Sequence, residues 1–102
     1  MENDPEIRVQ VKKILELIKS EAPGKSVELR VPPCGAIQCV SGSNHRRGTP
    51  PNTVEMNGQT LLRLINEPSL WSSFCESGEV LASGVASDLS NVFAQVAVKY
   101  IA

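Results

Sequence analysis

The stretch LRVPPCGAIQCVSGSNHRRGTPPNTVE, residues 29–55, decides how the chain folds. Together with the preceding Val27 and Glu28, its start alternates apolar Val27, Leu29 and Val31 with polar Glu28 and Arg30. That period of two marks a strand with one apolar face. Pro32-Pro33 interrupts it, removing two ladder donors and holding the chain in extended or turn conformations. A second strand is expected over 35–40, with Ile37 and Cys39 on one face and Ala36, Gln38 and Val40 on the other. The twelve residues 41–52 then form a polar connection containing Gly42, Gly48 and Pro50-Pro51, long for a compact domain and of the kind that often carries function. A third short strand is expected over 53–56, with Val54 and Met56 on one side.

Outward from this stretch the period changes to that of helices. On the N-terminal side, Ile7, Val11, Ile14, Leu15 and Ile18 make one helical face. Asp4 is its expected N-cap, and Pro5 suits the first helical position, where its missing N–H would be unpaired anyway. Pro23-Gly24 ends it. On the C-terminal side, Asn57-Gly58 turns into a short helix carrying Leu61, Leu62, Leu64 and Ile65, which Glu67-Pro68 breaks. Ser69 is placed to cap another helix with Leu70, Trp71, Phe74 and Cys75 inside, and Gly78 to end it. A fourth strand is expected over 80–83, closed by Gly84. Ser87 or Asp88 then caps a last helix with Leu89, Val92, Phe93, Val96 and Tyr100 as its stripe. The order α-β-β-β-α-α-β-α, with helices that do not alternate regularly with strands, indicates an α+β domain with a mostly antiparallel sheet spanning 1–102.

Composition bounds the function. The chain has 102 residues, 41% hydrophobic and 21% charged, with a formal net charge of −1, which fits neither a disordered chain nor a membrane protein. No apolar run approaches the roughly 18 residues of a membrane span. The start Met1-Glu2-Asn3-Asp4 does not resemble a signal peptide, so the cytoplasm is the default address. Residues 64–98 carry four acidic and no basic residues, while 25–63 carry five basic and two acidic. That imbalance is too small for a nucleic-acid footprint, and four aromatics offer little to stack on bases.

Few residues can carry catalytic or metal chemistry. His45 is the single histidine, so any His-dependent nucleophile system must use it, and there is no Gly-x-Ser-x-Gly elbow. Cys34, Cys39, Cys75 and His45 total the four soft ligands of a structural zinc, yet no Cys-x-x-Cys pair exists. Read as one strand, Cys34 and Cys39 lie about 16 Å apart on opposite faces, too far for a disulfide. Reduced thiols and no metal are the expectation. Arg46 and Arg47 suit an anion clamp, and more readily a solvated pair or partners of Glu55. Trp71 and Phe74 suit either the wall of an apolar cavity or the core.

The elements Arg30-Val31-Pro32-Pro33, Ala36-Ile37-Gln38-Cys39, and His45-Arg46-Arg47-Gly48-Thr49-Pro50-Pro51-Asn52 with Val54-Glu55 resemble the signature of the bacterial sterol-carrier orthologue domain, a mostly actinobacterial branch of the sterol carrier protein superfamily. GEVLASGVASDLS, residues 78–90, resembles the end of the same family's pattern. The resemblance implies a curved, mainly antiparallel sheet, typically of five strands, covered by helices, with one further edge strand concealed within 41–52. It implies non-covalent binding of a lipid or other hydrophobic molecule in a tunnel between sheet and helices, without cofactor or catalytic residue. Leu61, Leu64, Ile65, Trp71, Phe74, Leu89, Phe93 and Val96 become the candidate wall, and the last helix the candidate mobile cover. Burying an acyl chain is worth about 0.8 kcal/mol per methylene, and loading is compatible with transient membrane contact. The terminus Lys99-Tyr100-Ile101-Ala102 lacks a peroxisomal Ser-Lys-Leu-type signal. Two other readings stand beside this one. Arg30, Gln38, His45, Arg46, Arg47, Asn52 and Glu55 could form a polar pocket for a small anionic metabolite or thiol cofactor, or the chain could be a protein-interaction module.

Overall fold

A computed structural model describes residues 4–42 and 52–101. Helix α1 (Pro5–Glu21) is followed by β1 (Val27–Val31), β2 (Gly35–Cys39), β3 (Asn52–Glu55), α2 (Gly58–Asn66), a 3-10 turn (Pro68–Leu70), α3 (Trp71–Ser77), β4 (Leu81–Ser83) and α4 (Ser90–Ile101). The α+β order is the one read from the sequence.

The helices start where side chains satisfy their free N–H groups. Asp4 accepts from the Glu6 N–H at 2.8 Å with Pro5 in the first position, and Asn57 accepts from the Thr60 N–H at 2.8 Å to open α2. Asp88 accepts from the Ser90 N–H at 2.8 Å at the start of α4. Ser69 does not cap α3. Its segment winds into the 3-10 turn, and α3 begins without a side-chain cap. Gly78, at φ 86°, ends α3 in the left-handed conformation.

The sheet order is β2-β1-β3-β4. β1–β2 and β3–β4 are antiparallel, but the central β1–β3 pair is parallel, so the sheet is mixed. The cause lies in the connection: Cys39 ends β2 opposite Val27, and Asn52 starts β3 opposite Val27 on the other side. The chain therefore re-enters the sheet at the end it left, running with β1. Of the segment 41–52 in which a fifth strand is expected, residues 41 and 42 are in no strand, Asn52 already belongs to β3, and residues 43–51 lie outside the described part. Pro32 and Pro33, joined by a cis peptide, form the β1–β2 turn with Cys34, whose N–H donates to the Val31 carbonyl at 2.8 Å. Cys34 thus sits in a turn and not in a strand shared with Cys39. At the far end of β2, Val40 takes φ 67°, a costly conformation for a β-branched residue. Two backbone bonds hold it there, from its N–H to the Ala22 carbonyl at 2.7 Å and to its carbonyl from the Ser26 N–H at 2.9 Å.

One face of the sheet meets the helices. Val27, Leu29, Val31, Cys39 and Val54 point into a cluster with Val11, Ile14, Leu15 and Ile18 of α1 and the buried residues of α2, α3 and α4. Each fully buried aliphatic side chain there contributes about 1.5–3 kcal/mol.

Candidate functional site

The apolar candidates come from three consecutive segments. Leu61, Leu64 and Ile65 lie on the buried face of α2, and Trp71 and Phe74 on that of α3. Leu89, just before α4, joins Phe93 and Val96 on it. All eight are at most 6% exposed and belong to a single cluster that includes the apolar side of the sheet. Trp71 and Phe93 meet with ring centroids 6.0 Å apart, tilted by 34°. The Arg63 guanidinium of α2 lies 4.8 Å over the Phe74 ring of α3 and 3.7 Å from a Glu79 carboxylate oxygen. α4 is joined to α1 by Lys99 Nζ, 3.2 Å from Glu21 Oε2. These side chains pack against one another. A surface groove of about 280 Å³ lies beside them, lined by Leu62, Arg63, Asn66, Glu67 and Leu70 at the junction of α2 with the 3-10 turn.

The polar candidates divide. Arg30, Gln38 and Glu55 share the face of the sheet turned away from the helices, because the register pairs Arg30 with Glu55 and Gln38 with Glu28. Asn52 does not join them. It is three residues from Glu55, an odd separation along a strand, so it points to the helix side with Val54. There it is 3% exposed. Its Nδ2 donates to the Ser26 carbonyl at 2.9 Å and the Ser26 hydroxyl at 3.3 Å, and its Oδ1 accepts from the Ala86 N–H at 2.9 Å. Asn52 therefore ties together the starts of β1 and β3 and the loop before α4. Gly84 belongs to the same arrangement: at φ 108°, a Cβ there would lie 2.2 Å from Asn52 Oδ1. His45, Arg46 and Arg47 lie outside the described residues.

Arg30 Nε donates to Glu28 Oε2 at 2.7 Å, with the side chains 42% and 23% exposed. This charge-assisted bond, and then the charge of Glu28, raises the already high pKa of Arg30. Burial pushes the Cys39 thiol up to about 11. Burial also raises that of Cys75, with the negative charge of Asp88 adding to it. Both therefore stand as neutral thiols at neutral pH, poor nucleophiles and poor metal ligands. Among the described residues no group of three His, Cys, Asp or Glu side chains could hold a metal ion. No described helix is long and apolar enough to cross a membrane. Thr53, Leu81 and Ser83 were not among the sequence candidates, yet with Cys75 they line a groove beside Arg30 and Glu55. Their signal was parity, since Thr53 lies two residues before Glu55, and Leu81 two before Ser83.

The family model of bacterial SCP orthologues matches residues 4–94. The chain belongs to this family. Its fold has a solved counterpart in a UbiJ-SCP2 ubiquinone synthesis protein, with a TM-score of 0.55 and 14% identity, covering 100% of this chain and 98% of that one. No curated protein matches the chain. In this SCP orthologue the described parts of the motifs quoted from the sequence build the strands and the joints between elements. Arg30 to Pro33 close β1 and turn into β2, Ala36 to Cys39 are β2, and Asn52 to Glu55 are β3. Gly78 to Ser90 run from the end of α3 through β4 to the first turn of α4.

Proposed function

We propose that this bacterial SCP-family chain, acting as one unit over 1–102 in the cytoplasm, binds a lipid or other hydrophobic small molecule without a covalent step. The observation that carries this reading is the convergence of the eight side chains of α2, α3 and the α4 segment on one apolar cluster against the sheet, in a fold shared with an SCP2 protein of ubiquinone synthesis. An acyl or prenyl chain inserted there replaces contacts between these side chains by contacts with itself. The affinity then comes from about 0.8 kcal/mol per methylene withdrawn from water, less the cost of parting the layer. α4 is the element we assign to move, because its described side-chain ion pair to α1 joins an exposed Lys99 to a half-buried Glu21 at the periphery, and such pairs contribute about 1 kcal/mol. The half-buried Leu62 and Leu70 at the 280 Å³ groove offer an apolar approach next to Leu61 and Trp71.

Trp71, the single tryptophan, serves as the reporter. Titration with a long-chain fatty acid should change its emission saturably. Measured with a radiolabelled fatty acid and by thermal unfolding, Trp71→Ala should lower affinity by a larger free energy than it lowers stability. Equal losses in both would leave Trp71 a core residue only and remove it from the binding wall.

A further inference from the structure

The helices cover one side of the sheet, and among the described residues the other side is open. The strand register sorts that open face into two rows. Ala36, Arg30, Glu55 and Leu81 are successive cross-strand partners, and Gln38, Glu28, Thr53 and Ser83 form the next row. The first row has a guanidinium and a carboxylate side by side at its centre and an apolar side chain at each end.

Neighbouring opposite charges ordinarily form an ion pair, and here the charge of Glu55 acts on Arg30 without one. Arg30 turns its Nε to Glu28 on its own strand at 2.7 Å. Among the described residues its terminal nitrogens donate to nothing, and the Glu55 carboxylate has neither a hydrogen bond nor an ion pair within 4.0 Å. Glu28 thus fixes the guanidinium from one side and, among the described residues, leaves its outer edge without a hydrogen-bond partner beside a carboxylate that acts on it only through its charge. Arg30 and Glu55 both line two adjoining grooves, one of about 450 Å³ ending at Val80 and Leu81 and one of about 420 Å³ ending at Pro32, Pro33 and Ala36. Volumes in this range suit small molecules.

We propose that this row binds a zwitterionic α-amino acid with an apolar side chain. Its carboxylate would take the outer edge of Arg30, its ammonium the Glu55 carboxylate, and its side chain would lie along the exposed Leu81. A ligand with only an anionic group is repelled by Glu55, and one with only a cationic group by Arg30. A zwitterion meets both, and its two charges fit within the roughly 4.8 Å between neighbouring strands. The guanidinium supplies the fork geometry that carboxylates need. This site lies on the opposite side of the sheet from the apolar cluster, so it stands or falls independently of lipid binding.

The test is a titration of the whole 15N-labelled chain with L-leucine, followed through the amide signals of Thr53, Leu81 and Ser83. N-acetyl-leucine, which lacks the ammonium, and leucinamide, which lacks the carboxylate, serve as comparison ligands. The expected result is saturable shifts with leucine and affinities about tenfold or more lower for either analogue, as loss of one charge-assisted contact implies. Arg30→Gln should weaken leucine and N-acetyl-leucine alike. Glu55→Gln should weaken leucine while leaving N-acetyl-leucine no weaker. Because Arg30 is also tied to Glu28, Arg30→Lys provides a second variant that keeps the charge and loses the fork, and it should weaken leucine too. Absence of saturable shifts with leucine overturns the proposal, as does equal binding of the three ligands or of the folded variants.

Discussion

Asn52 is the position where sequence and structure make opposite demands, and replacing it separates them. If it served a polar ligand pocket, Asn52→Ala would cost binding and leave stability intact. Its geometry requires the reverse. The side chain is 3% exposed and joins Ser26 to Ala86 through an amide donor at 2.9 Å and an amide acceptor at 2.9 Å. Removing it deletes two good hydrogen bonds at about 1 kcal/mol each and leaves the Ser26 carbonyl and Ala86 N–H short of a partner, for a total of about 2–4 kcal/mol. In a domain of this size each kcal/mol moves the midpoint by about 4–8 °C, so Tm should fall by roughly 10–25 °C. Asn52→Asp sharpens the test. It keeps an acceptor for Ala86 but sets a buried carboxylate against the Ser26 carbonyl, so its folded pKa rises above the ordinary value of about 3.9. Stability contributed by the protonated acid, which can donate to Ser26, is present below that value and lost as pH rises through the folded pKa. Thermal unfolding followed by circular dichroism from pH 4 to pH 8, values chosen at about the ends of that titration, should therefore show the Asp variant gaining on wild type as pH falls. An Asn52→Ala variant melting within about 3 °C of wild type, less than the shift for a single kcal/mol, would refute the clamp.

Gly84→Ala should destabilise the fold through the same clamp, because its Cβ would meet Asn52 Oδ1 at 2.2 Å and φ 108° disfavours any side chain. Combined with Asn52→Ala its cost should shrink, and strict additivity in urea unfolding would contradict the shared contact. Cys39, with its thiol held at about 11 against an ordinary 9.0, makes stability fall as pH rises between those values, by up to about 3 kcal/mol. Cys39→Ala should flatten that fall, and an unchanged pH profile would show that the thiol is not the group responsible. Loosening α4 with Lys99→Gln should cost less than about 1 kcal/mol of stability yet speed exchange of a bound fluorescent fatty acid, and an unchanged exchange rate would count against α4 as the moving element.

Element types were legible because apolar spacing differs between helix and strand. Ile7, Val11, Ile14, Leu15 and Ile18 could only share a helical face, and Val27, Leu29 and Val31 a strand face. Strand pairing was not legible. Nothing in the local pattern of Asn52 to Glu55 states that β3 lies parallel to β1, since that depends on where the preceding connection returns the chain. For a related reason the sequence leaves Pro32-Pro33 open between extended and turn conformations: two prolines exclude a ladder but do not specify the partner strand. In the candidate site, the eight apolar residues were legible as inward-facing, because burial follows the same periodicity that builds the helices. The polar set shares a motif and a residue type, neither of which fixes the side of the sheet, whereas strand parity does. Parity alone separates Asn52 from Glu55, and it also brings Thr53, Leu81 and Ser83 alongside Arg30.

The measurement closest to the central claim is native mass spectrometry of the chain before and after exposure to a mixed bacterial lipid extract. The account predicts a retained adduct of acyl- or prenyl-lipid mass that is lost on unfolding and reduced by Trp71→Ala. A bare chain under both conditions would contradict it.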